Sequence, residues 1–86
     1  MIFFHRTTIQ KWLEIQNEGI LFGKHTNPIR YTYLSPTEDI SLDYGDVLLK
    51  IQYEPKGQPN DNYSPGCWQF SVFEPIPLIA ICVKDD

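Results

Sequence analysis

The chain has no cluster of lysine and arginine. Its 86 residues hold seven basic side chains against eleven acidic ones, a formal net charge of −4, and no segment carries a basic stripe. Generic nucleic-acid binding and attachment to an anionic membrane both need such a patch, so both lose support. Cysteine is as scarce. Cys67 and Cys82 do not form a C-x-x-C and are expected to be two free thiols, with Cys82 buried inside "IAICV". The two histidines, His5 and His25, stand at no ligand-like spacing, so a zinc site is not expected. No apolar run reaches the roughly 18 residues of a membrane span. The start "MIFFHR" lacks the basic opening and apolar length of a signal peptide, which points to the cytoplasm. Gly-rich phosphate loops and a G-x-S-x-G elbow are also missing. Asp39, Asp43 and Asp46 are scattered through a turn and form no evident acid–base pair.

What is present is the means to fold. Hydrophobic residues make up 42% of the chain and aromatic residues 14%, which excludes a disordered tail. Seven prolines and five glycines imply many short elements joined by tight turns. The length suits one small domain over residues 1–86, with room for a modest core and none for separate substrate and cofactor domains.

"MIFFH" reads as a strand. A main helix is expected over residues 8–18, with Thr7 and Gln10 at capping-box spacing, an apolar side including Ile9, Trp12 and Leu13, and Gly19 as its stop. "ILFGKHTNPI" reads as a loop and "RYTYLS" as a second strand. "DVLLKIQY" is the clearest strand, because Val47, Leu49, Ile51 and Tyr53 alternate with Leu48, Lys50 and Gln52. "EPKGQPNDNYSPG" is a loop by composition. "CWQFSVF" reads as a strand with Trp68 in the core, and "PIPLIAICV" as a buried apolar strand. The expectation is therefore an α+β domain: a small, curved, mostly antiparallel sheet of about five strands with one main helix.

The motifs "FHRTT", "YLSP", "YGDVLLKI" and "PIPLIAI", in that order, resemble the ADP-ribosyltransferase fold of the His-Tyr-Glu type. That family includes the poly-ADP-ribose polymerase catalytic domain, the tRNA 2'-phosphotransferases and small bacterial and phage toxins. The resemblance runs over about residues 3–83 by motif order. It implies an NAD pocket in which His5 contacts the adenosine ribose, the Arg6 backbone holds the nicotinamide amide while its guanidinium narrows the pocket or points at a phosphate, and Thr7 follows as the motif's Ser/Thr among the cofactor-binding residues. Arg6 stands where the family keeps a small residue. Tyr33 and Tyr44 would sandwich the nicotinamide ring, and Ser41 would bind its carboxamide. The family's glutamate falls on Gln69, which can hold a ribose hydroxyl but brings no charge to the developing cation. Glu74 is an alternative carboxylate five residues further on.

Two functions follow as expectations. One is a miniature transferase that splits NAD and moves ADP-ribose to a macromolecular target, with Gln69 and His5 as its catalytic residues. The other is a catalytically inactive binding or inhibitor module of the phage or mobile-element type, holding an NAD-like nucleotide or another protein. A third and blander reading is a small interaction protein whose motif order is chance.

Overall fold

The computed structural model describes residues 1–26, 29–38, 45–57 and 60–84, and for 24–26 and 29 the backbone alone. Along the chain it places β1 (Ile2–Thr7), α1 (Ile9–Glu18), β2 (Ile20–Leu21), β3 (Lys24–Thr26), β4 (Ile29–Leu34), β5 (Val47–Gln52), β6 (Phe70–Val72), β7 (Ile76–Pro77) and β8 (Ile81–Val83), with a 3-10 turn at Leu78–Ala80. The class is α+β, with one α-helix and antiparallel strand pairs among the described residues.

The alternation in "DVLLKIQY" does what its period dictates. β5 is the central strand of a sheet ordered β1-β5-β8. Phe3 lies opposite Ile51, His5 opposite Leu49 and Thr7 opposite Val47. Facing residues share a side of the sheet, so Phe3, Leu49 and Ile51 enter the core together while Lys50 and Gln52 meet water. A second sheet has the order β3-β4-β6, and β2 pairs with β7. The two larger sheets meet where Phe4 and Ser35 exchange backbone hydrogen bonds of 2.7 and 2.9 Å.

The core draws on every layer: Phe3 and Ile51 from the first sheet, Leu34 and Phe70 from the second, Ile76 from β7 and Ile15 from the helix. Phe3, Phe70 and Tyr63 pack edge to face around one another, with ring centroids 4.9 to 5.7 Å apart. Each fully buried large side chain contributes about 1.5–3 kcal/mol relative to exposure.

Several expectations are corrected. The helix cap is Thr8, whose hydroxyl accepts from the Lys11 N–H at 3.1 Å; Thr7 is the last residue of β1 and is buried. Gly19 does end the helix, in the left-handed region at φ 78°. Only one stripe of the helix faces the core, carried by Ile15 with Trp12 beside it. Ile9 and Leu13 are exposed, because so short a chain has no second layer to cover them.

The stretch read as a loop after Gly19 contains β2 and β3. Two residues suffice for β2, because each pairs directly with β7. "PIPLIAICV" is not one strand. Pro75 and Pro77 have no N–H for a ladder, and the 3-10 turn breaks the run and leaves Ile79 95% exposed at its tip. Cys82 is exposed, since β8 pairs with β5 only and turns that side chain outward. Trp68 is 65% exposed. A turn in which the Cys67 N–H reaches the Ser64 carbonyl precedes it, and the strand begins only at Phe70, so alternation counted back to Trp68 has no meaning.

Candidate functional site

A cleft of about 540 Å³ opens between α1, the end of β1 and the segment from β2 to β4. Its volume lies within the roughly 300–1,000 Å³ of small-molecule sites. His5 and Thr7 form its floor. They are there because β1 alternates: Phe3, at the same parity, turns into the core, and two residues later the strand passes under the helix.

His5 is held in a defined state. Its Nδ1–H donates to the carbonyl oxygen of Tyr33 across 2.7 Å. Burial pushes its pKa below the ordinary 6.5, and the bond to the Tyr33 carbonyl opposes that shift only in part. The ring is therefore neutral near pH 7. With Nδ1 carrying the proton, Nε2 is a hydrogen-bond acceptor, suited to a hydroxyl or an amide N–H.

The cleft walls carry both signs of charge. Lys11, Glu14 and Glu18 come from successive turns of α1, and Arg30 comes from β4. Lys11 and Glu14 approach to 3.4 Å in an exposed i,i+3 pair that adds only a few tenths of a kcal/mol. Gly23 lets the far wall come close. A Cβ on it would lie 3.0 Å from the Tyr31 carbonyl oxygen, and its own N–H donates to the buried Thr32 hydroxyl at 2.7 Å.

The expected site residues separate into groups. His5 and Thr7 meet in the cleft. Arg6 lies on the opposite face of β1, where it reaches the Glu38 carbonyl at 3.4 Å and its buried Nε has no hydrogen-bond partner among the described residues. Tyr33 contributes its backbone carbonyl to His5. Its ring is 43% exposed and packs against Tyr31 at 5.0 Å, and Tyr31 in turn meets Phe73. Gln69 is half-buried just before β6 and does not line the cleft. Ser41 and Tyr44 lie outside the described residues.

Glu74 has other work. Its carboxylate takes the Lys56 ammonium at 2.6 Å and the Tyr53 hydroxyl at 3.1 Å. The same hydroxyl also lies 3.2 Å from Asp61. Asp61 is completely buried and accepts the backbone N–H groups of Lys56, Gly57 and Tyr63. Burial alone would raise its pKa, but the three N–H donors and the Tyr53 hydroxyl outweigh it and hold the carboxyl below its ordinary value. Burial and the neighbouring Glu74 and Asp61 carboxylates push the Tyr53 phenol well up. This constellation is a brace for the loop after β5.

Sequence reasoning missed Arg30, Glu14 and Glu18 as cleft residues, and Asp61 as a hub. Asp61 had a signal: "PNDNY" is rich in residues whose side chains bond nearby backbone. Arg30 had none, because only the fold brings β4 opposite α1. Among the described residues no group of histidine, cysteine and carboxylate side chains could hold a metal ion, and no helix is long and apolar enough to cross a membrane. No protein family, curated protein or solved structure matches the chain at a significant level.

Proposed function

We propose that this chain is a small ADP-ribosyltransferase-like binding module whose cleft takes NAD or a related nucleotide. The observation that supports it is the placing of His5: a neutral, tautomer-fixed imidazole on the floor of a cleft large enough for a nucleoside with its phosphates. Its Nε2 suits a ribose hydroxyl, and Thr7 borders the same floor. Binding without transfer is favoured because neither Gln69 nor Glu74 borders the cleft, so no residue from that part of the chain is positioned to stabilise a ribosyl cation there.

Calorimetric titration with NAD and ADP-ribose tests this. Saturable binding is expected, and its loss in His5→Ala with the fold intact by circular dichroism. Absence of binding at roughly millimolar ligand overturns the nucleotide reading. Nicotinamide release should stay at the buffer rate in the wild type. Release above that rate, or its appearance in Gln69→Glu, would turn the module into an enzyme or a degenerate one.

A further inference from the structure

We infer that Arg30 is the anion anchor of the cleft, and that the ligand it selects carries a phosphate on a hydroxyl-bearing sugar. This rests on the nucleotide reading above and names the group within that ligand that gives it affinity.

Arg30 is held by two contacts with one residue. Its Nε–H donates to the Phe22 carbonyl at 3.0 Å, and its guanidinium carbon lies 4.7 Å from the centre of the Phe22 ring. These contacts use one donor and one face of the group. The terminal amino groups meet no acceptor among the described residues. Glu14 and Glu18 share the cleft, yet neither comes within ion-pair distance of Arg30. A half-buried guanidinium that is stacked, oriented and has Nη donors without an acceptor among the described residues is preorganised for a two-oxygen anion, since little rotamer freedom remains to be lost on binding.

The remaining lining narrows the ligand. His5 Nε2 accepts and cannot bind an anion. Glu14 and Glu18 also accept, and would repel a second anionic group placed against α1. Lys11 is the other cation of the lining, and its ammonium faces Glu14 at 3.4 Å. The cleft therefore offers its anion position at Arg30, the cation there without a carboxylate in ion-pair distance among the described residues, and several acceptors for hydroxyl donors. A sugar phosphate has that pattern: phosphate at one end, hydroxyls along the rest. A bare dicarboxylate does not.

Calorimetry with ribose 5-phosphate, ADP-ribose and adenosine against the wild type, Arg30→Lys and Arg30→Gln tests the inference. In the wild type the two phosphate-bearing probes should bind at least about tenfold tighter than adenosine. Arg30→Gln should abolish that preference while adenosine binding holds, and Arg30→Lys should keep part of it. Adenosine binding as tightly as ADP-ribose to the wild type overturns the anchor and leaves the nucleotide cleft standing. So does a phosphate preference unchanged in Arg30→Gln. Failure of all three probes to bind the wild type overturns both. The wild-type comparison needs no variant, so unfolding of Arg30→Gln would not remove the test.

Discussion

The Nδ1 atom of His5 lies 2.7 Å from the carbonyl oxygen of Tyr33, twenty-eight residues along the chain. That bond joins the floor of the cleft to β4 and fixes which ring nitrogen faces a ligand. It also sets a pH response. The folded pKa is lowered below the ordinary 6.5, so the folded state binds this proton less readily than the unfolded chain. The stability the neutral ring confers is complete above about pH 6.5 and is lost as the pH falls towards the folded value. An NMR titration of the His5 ring should give a midpoint below 6.5 with Nδ1 protonated in the neutral form. A midpoint at or above 6.5 contradicts the burial argument.

Asp61→Asn should be among the costliest single changes. An amide presents two N–H donors where the structure supplies backbone N–H groups, so at least one oxygen's bonds are replaced by repulsion. A loss of about 3 kcal/mol is expected in urea unfolding. With its folded pKa lowered, Asp61 contributes stability that is present above about pH 4 and lost as the pH falls through the folded value. The variant should therefore show a flatter stability profile at acid pH than the wild type.

Gly45 and Gly57 both have positive φ, and a comparison separates backbone strain from collision. Gly57 sits at φ 78° with open space around it, so Gly57→Ala should cost about 1 kcal/mol. Gly45 sits at φ 145°, and a Cβ there would lie 2.3 Å from the Thr7 carbonyl oxygen. Backbone would have to move at the cleft floor, so Gly45→Ala should cost about 2 kcal/mol or more and weaken ligand binding. Equal losses at the two sites would contradict this account.

Phe70 and Trp68 are two residues apart with opposite fates. Phe70→Ala should cost about 3–5 kcal/mol, because it removes a ring packed against both Phe3 and Tyr63. Trp68→Ala should cost under about 1 kcal/mol, since the ring is mostly in water. Thermal unfolding of the two variants side by side checks the pair.

Local patterns carried part of this structure. β5 was legible because from Leu49 to Gln52 its residues alternate between core and water, with Leu48 the buried exception, and the stop at Gly19 because left-handed backbone favours glycine. Thr7 and Thr8 could not be told apart as caps. Both have the hydroxyl, and the choice depends on how far β1 stays paired with β5. β2, β3 and β7 are two or three residues long and exist through tertiary pairing, so no periodicity could reveal them. Within the site, His5 and Thr7 were singled out by the motif "FHRTT", and their shared parity on β1 sets both in the cleft lining. Arg30 was not, because its role comes from Phe22 and from the helix across the cleft, neither of which is near it in a periodic pattern.

The pairing of β1 with β5 has a consequence during synthesis. Ile2 faces Gln52 and Thr7 faces Val47, so partners are 40 to 50 residues apart. At roughly 5–20 residues per second a ribosome takes several seconds to make that intervening chain. Through that interval Phe3 has neither Ile51 beside it nor Phe70 above it. The nascent β1 segment must wait as an apolar stretch with open edges until β5 emerges to pair with it.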